Sequence, residues 1–461
     1  MNCYYIRLIL LFLCATHMPG LYAQPFTNYT PYTNDSLQLL SIKNDIRKNY
    51  LKDSASISGE NKKQLIGIYR DRYQNLADMF KEKEFINNPE ADGYLQGLVA
   101  QIINSNPQLK KLGTRFLFSR VFWPNAFSSG EGTIVFNIGL FAKLNTESEV
   151  VFTLCHELAH LYLDHSNKGI LQYVHTVNSK EFQEQLKEIK KSKYEVNKQL
   201  EKLEKGLVFK SRRHGREHED EADSIGLSFM QNTGYNIKGS LSCLAMMDVI
   251  DKDSYAADSG LQRIFNPTVY PFNKKWLKKE ESFFGGVPDK AISTKEKDSL
   301  KTHPDCKARI AKLTPAVEKV VNDGRKDFLV SETQFNALKS SFKFEVVEFC
   351  FVSKRISRCL YYALEQLETN PNNAYLVTMI GKCFNEMYSN QKAHTLNRVV
   401  DLPSPYADKN YDVLTQFIQN ISLGDMAAIG YYFLNNYKTV MAGDAGFEKA
   451  LATSTKNFNN N

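Results

Sequence analysis

The run Val150–His165, VVFTLCHELAHLYLDH, contains His156, Glu157 and His160 in the order HELAH. On an α-helix, residues i and i+4 stand about 40° apart on one face. Two imidazoles at that spacing can aim a nitrogen each at one point about 2 Å away, the length of a zinc–nitrogen bond. Glu157 lies beside them, placed to hold a zinc-bound water and take its proton. The same five residues also suit a buried helix whose histidines satisfy core hydrogen bonds, so the remaining ligands carry weight.

A catalytic zinc site needs three protein ligands and one position left open. The acidic run EHEDEAD at 217–223 offers Glu219 and Asp223, four residues apart and therefore on one helix face. Glu219 is the candidate third ligand. Asp223 suits an outer role, accepting the far N–H of a ligand histidine and fixing its tautomer. Glu221 points roughly 160° away from Asp223 and should not reach the ion. As composition alone, the run equally describes a solvated acidic face. THPDCKARI at 302–310 adds His303 and Arg309, candidate donors to a developing oxyanion. His303 could instead serve as a fourth ligand that blocks the water position at rest, or be an exposed histidine in a helix-capping segment.

These side chains need elements to hold them. Val151, Leu154, Leu158 and Leu161 recur at helical spacing opposite the histidines, so that side should be buried. Thr146 followed by Glu149 predicts a capping box at the helix start. Cys155 reads as a small buried hydrophobe. Upstream, FLFSRVFWPNAFSSGEGTIVFNIGLF carries short β-branched and aromatic runs broken by Ser129-Gly130-Glu131-Gly132. Thr133–Asn137 is one strand. Asn125-Ala126-Phe127 ends an edge strand that could hold an extended peptide by main-chain hydrogen bonds, or is part of an ordinary hairpin. Residues 211–235 read as the second ligand helix, ending near Gly234. Before it, Phe182, Leu186, Ile189, Lys193, Val196, Leu200 and Leu203 form a heptad-like seam, predicting a helical arm over 176–210. Residues 250–300 are turn-rich and read as an insertion or lid.

The wider chain sets bounds. It has 461 residues, enough for two or three domains, and a net charge of +7 without a long Lys/Arg tract, which does not suggest nucleic acid. Arg7, the apolar run LILLFLCATHM and Ala23 predict an export signal over 1–23. Later runs fall short of the 18–20 residues needed to span a bilayer, so no transmembrane helix is expected in the processed chain. Residues 24–60 read as a polar, mobile lead-in. Six cysteines remain after processing, and a disulfide among Cys350, Cys359 and Cys383 is compatible with an oxidising compartment. From about Phe344 the pattern is helical. Residues 363–388 give one helix–turn–helix unit of the 34-residue repeat type, within a helical region over 330–461.

HELAH at 156–160, EDEAD at 219–223 and THPDCKARI at 302–310, in this order, resemble the HtpX/CAAX-prenyl-protease (Ste-type) family of gluzincin metalloendopeptidases. NAF at 125–127 is similar to the strand that family places before its metal helix, and Arg216 sits where the family often has an arginine. The resemblance covers roughly residues 60–315. It implies an α+β fold: a zincin-like domain over 61–320 with a small β-sheet and a long arm, followed by an all-α, tetratricopeptide-like region. It implies one Zn²⁺ per chain on His156, His160 and Glu219, with Asp223 outside them. Glu157 would be the base, His303 and Arg309 would assist, and the substrate would lie along Asn125–Phe127. An export signal and a helical tail look like the BepA-like periplasmic branch, which implies unfolded or misassembled envelope proteins as substrates and protein partners for the tail. The rival reading is a scaffold or chaperone for envelope protein assembly with latent peptidase activity.

Overall fold

Long apolar-faced helices surrounding one short β-rich stretch produce an α+β architecture dominated by helix. The computed structural model describes residues 29–32, 37–192, 195–250, 255–278, 306–404 and 407–460. The export signal at 1–23, Lys193 of the seam and His303 lie outside the described residues. Among the described residues no helix is long and apolar enough to cross a membrane.

The lead-in differs from its expected mobility: Leu37–Ser56 is a helix, α1. Ile46 on it is buried with Leu76 and Phe85, and Leu39 and Ile42 pack on the same cluster. Tyr50 stacks on Tyr73 of the next helix, α2 (Lys62–Lys81). Helix α3 (Pro89–Ser105) begins at Asn88, whose side chain accepts from Ala91 N at 2.9 Å, with Pro89 in the first turn.

Three strands follow: β1 (Arg115–Ser119), β2 (Ala126–Ser128) and β3 (Thr133–Asn137). The sheet order is β1-β3-β2, with β1 parallel and β2 antiparallel to β3. Central β3 is buried along its whole length, as its TIVFN sequence requires. After one helical turn at Ile138–Phe141, Gly139 approaches the carbonyl of Phe122 so closely that a Cβ would sit 1.9 Å from its oxygen. That crossing admits glycine alone.

The central helix α4 (Glu147–Tyr162) is capped by Thr146, whose hydroxyl accepts from Glu149 N at 3.3 Å. The expected reciprocal half is displaced. The Glu149 carboxylate takes Asn145 N at 2.6 Å and the Ser242 hydroxyl at 2.7 Å. At the helix start, the fully buried Glu147 carboxylate accepts five donors. These are the hydroxyls of Tyr94 (2.8 Å) and Tyr235 (3.0 Å) and the main-chain N–H groups of Leu329 (2.7 Å), Val330 (2.9 Å) and Ser331 (2.7 Å). One carboxylate thereby joins α4 to three distant stretches of chain.

Helices α5 (His165–Asn178) and α6 (Lys180–Lys191) lead into α7 (Val196–Gln231), 36 residues long. The sequence reading divided this stretch into an arm and a separate ligand helix. The structure runs the part of the arm from Val196 onward straight into that helix as one rod, while α6 stays separate, with Ile189 buried and Phe182 and Leu186 half-buried along the seam. Helix α8 (Gly239–Val249) follows. Within the expected lid, Ala257–Ile264 forms α9, and Trp276 is buried near Phe417 of the tail. Residues 279–300 of that stretch lie outside the described residues. Helix α10 (Cys306–Glu318) is the last helix before the tail.

The tail comprises α11 (Glu332–Val352), α12 (Ile356–Thr369), α13 (Ala374–Lys392), α14 (Lys409–Asn420), α15 (Leu423–Tyr437) and α16 (Ala445–Asn459). Phe335 and Phe342 of α11 pack on Phe141 with ring centroids 5.0 and 5.2 Å away, so the tail and the part before it share one apolar core. Cys350, Cys359 and Cys383 are buried free thiols. Burial pushes the Cys350 and Cys359 thiols well up, which keeps them unreactive.

Candidate metal centre

Helices α4 and α7 cross at Gly226, where a Cβ would stand 3.0 Å from the Cα and N of His156 and 3.1 Å from the carbonyl carbon of Cys155. A residue without a side chain at this point lets the two backbones touch. The apolar side of α4 is buried, with Val151, Leu154, Cys155 and Leu158 at full burial, and this orients the histidines toward α7.

The structure brings His156, His160 and Glu219 together. Their ligand atoms all lie within 4.8 Å of one another. His156 Nε2 and His160 Nε2 are 3.0 Å apart; Glu219 Oε2 is 3.6 Å from the first and Glu219 Oε1 3.4 Å from the second. Ligands on a tetrahedral zinc about 2.05 Å from each donor are about 3.3 Å apart. The triangle therefore matches the spacing of one small divalent ion, and the nitrogen–nitrogen–carboxylate set is chemically suited to zinc.

Asp223 stands behind His156, its Oδ1 2.9 Å from His156 Nδ1. Burial works to raise its pKa, but hydrogen bonds from Arg309 and His156 outweigh this and hold the carboxyl below its ordinary value. The sequence reading aimed Arg309 at a developing oxyanion; the structure commits its guanidinium elsewhere. It is 2 % exposed, with Nε and Nη2 on the two Asp223 oxygens at 2.7 and 2.6 Å and Nη1 3.0 Å from Glu219 Oε2. The fork thus fixes both the third donor and the carboxylate that orients the first. Glu157 is 3 % exposed on α4. Burial works to lower the His160 pKa, but the Glu219 hydrogen bond and then the neighbouring Glu157 and Glu219 charges outweigh it and hold it above its ordinary value.

His165 is a participant that the sequence reading left without a role. Its Nδ1 lies 2.9 Å from His160 Nδ1 and its Nε2 3.0 Å from Glu221 Oε2. Its ring stacks on His218 with centroids 4.1 Å apart and planes 8° from parallel. Burial, opposed in part by the Glu221 hydrogen bond, brings its pKa down to about 4. Residues 160 and 165 would not share a helical face. Asp164 takes a left-handed conformation (φ 56°), ends α4, and swings His165 back beside the helix it follows. Glu221, as expected, points away from the three donors; it meets His165.

Of the proposed substrate strand, Ala126 and Phe127 begin β2 and Asn125 precedes it, its carbonyl accepting from Asn137 N at 3.0 Å. β2 is the sheet edge on the side away from β1, paired with β3 through Ala126–Phe136, Phe127–Val135 and Ser128–Ile134. Trp123, 41 % exposed, stands just before it.

No curated protein matches the chain at a significant level. A family model does: Peptidase family M48 matches residues 89–317. Families of this name comprise zinc-dependent peptidases, and the span takes in α4, α7 and the donors at 156, 160 and 219. Residues 89–317 are therefore similar to Peptidase family M48.

Proposed function

We propose that the chain is an exported zinc-dependent metalloendopeptidase of the HtpX/CAAX-prenyl-protease group, closest to its BepA-like branch, acting on unfolded or misassembled envelope proteins. The observation that carries the reading is the His156–His160–Glu219 triangle with Glu157 on the same helix. Export rests on the apolar N-terminal run, and a protein-binding role for the tail on its stacked helices.

His156, His160 and Glu219 would hold the ion. When bound, zinc supplies Lewis acidity, bringing the pKa of water toward about 7 and polarising the scissile carbonyl. Glu157 takes the proton from the attacking water and returns it to the leaving amine. Asp223 holds His156 by its Nδ1, so that Nε2 faces the ion. Arg309 neutralises part of the Glu219 and Asp223 charge and keeps both carboxylates in place. The β2 edge offers main-chain groups to an extended substrate.

The test compares the wild-type chain with Glu157→Gln on an unfolded protein substrate, with zinc measured in both. Equal zinc and loss of cleavage is the expected result; equal cleavage by both forms would remove Glu157 from the reaction. Complementation in cells separates the peptidase from a scaffold, since a scaffold keeps its function in Glu157→Gln.

A further inference from the structure

Each ligand histidine has one nitrogen on the shared point and one directed outward. His156 is simple, since its outer Nδ1 meets a carboxylate, Asp223. His160 differs: its outer Nδ1 meets a second imidazole, and the carboxylate comes one step later, at Glu221.

The proton positions along this second chain follow from the donor inventory. If His160 Nε2 offers its lone pair to an ion, its Nδ1 carries the hydrogen and donates. His165 Nδ1 must then accept, which leaves the hydrogen of its neutral ring on Nε2. That hydrogen points at Glu221 Oε2, an acceptor at 3.0 Å. A single set of neutral tautomers satisfies every link. His165 is itself held in plane by the His218 ring stacked on it. The two outer acceptors therefore come from opposite faces of α7: Asp223 reaches His156, and Glu221 reaches His160 through His165.

We infer that His165 and Glu221 are positioning residues that fix the tautomer and ring orientation of His160, and so set the metal affinity of the site. The inference rests on the peptidase reading for its metal, but not on the identity of the substrate. Outer partners of metal-bound histidines typically change metal affinity by 10- to 100-fold when removed. The variants divide the chain at defined atoms. His165→Phe keeps the ring and removes both contacts. His165→Asn places a carbonyl oxygen near the position of Nδ1 and so keeps the acceptor for His160 while losing the donor to Glu221. Glu221→Ala removes only the last link.

The experiment measures zinc dissociation constants of the full chain by chelator competition, the visible spectrum of the Co²⁺-substituted chain, and the melting temperature without metal. His165→Phe is expected to bind zinc at least tenfold more weakly, with an altered Co²⁺ spectrum. His165→Asn should recover most of the affinity, and Glu221→Ala should fall between. Wild-type zinc affinity in His165→Phe overturns the inference. Equal weakening in the Phe and Asn forms, matched by equal loss of metal-free stability, also overturns it, since His165 would then be only a packing residue. The peptidase reading fails separately: a wild-type chain that takes up no zinc removes both, whereas a zinc-replete wild type with an unaffected His165→Phe removes the positioning role alone.

Discussion

Replacing Gly226 with alanine tests whether the close crossing of α4 and α7 is what assembles the site. The added Cβ would lie 3.0 Å from two backbone atoms of His156 and 3.1 Å from one of Cys155. Carbon contacts relax near 3.5–4.0 Å, so the helices must separate by about 0.5–1 Å. No rotamer can relieve this, because the three nearest atoms are all backbone. Alanine favours the helix by about 1 kcal/mol over glycine, while overpacking a tight interface costs about 1–3 kcal/mol. The fold should therefore lose at most about 2 kcal/mol. The metal site should suffer more. Glu219 rides on α7 and the histidines on α4, and donor distances tolerate only about 0.2 Å. A fall in zinc affinity of at least tenfold is expected, read by chelator competition against metal-free melting curves. Ser228→Ala, exposed on the same helix, gains propensity without the clash and serves as control. A Gly226→Ala chain that melts higher and binds zinc as tightly as wild type would refute the reasoning.

Three further outcomes follow from the same structure. Glu147→Ala strands five donors at about 1–3 kcal/mol each when buried, a loss on the order of 5 kcal/mol or more by denaturant unfolding. Glu147→Gln keeps a carbonyl for the three donors on Oε2; of the two groups on Oε1, the Tyr94 hydroxyl can turn to accept from the new N–H₂ and Ser331 N loses its acceptor, so it should cost about 1–3 kcal/mol; equal losses in the two variants would refute this. Burial raises the Asp92 pKa to about 6 from 3.8, so the folded chain holds this proton more tightly than the unfolded chain. Its contribution is present below about pH 4 and lost as pH rises through 6. Asp92→Asn should accordingly flatten that part of the melting-temperature profile, and a parallel profile would count against it. Arg309→Met leaves Glu219 and Asp223 without their guanidinium and should cost about 3–5 kcal/mol in metal-free stability, measured by chemical unfolding; a stable variant would mean the carboxylates repair themselves.

Much of the site was legible because helical spacing converts directly into angle. Positions 156 and 160, and 219 and 223, fall on shared faces whatever the surroundings, and TIVFN declares a buried strand. The reading failed where the chain leaves a regular period. His165 contacts His160 only because Asp164 breaks the helix with a left-handed turn, which spacing rules do not anticipate. The continuity of α7 was obscured by Gly215 and a dense charged run, both of which resemble a boundary. α1 was hidden by polar composition, although Leu39, Ile42 and Ile46 already traced its narrow apolar stripe. Arg309 was identified as a site residue, but its placement between two carboxylates depends on the packing of α10 on α7, a contact between segments some ninety positions apart.

The knot around Glu147 has a bearing on biosynthesis. The helix bearing the two histidines emerges from the ribosome long before its anchor can be completed, because three of the five groups that grip Glu147 belong to residues 329–331. A nascent polypeptide halted at residue 317, where the family match ends, would carry His156, His160 and Glu219 yet lack the strands of main chain that lock their scaffold. The buried anchor of α4 is thus completed only after translation has passed into the helical tail.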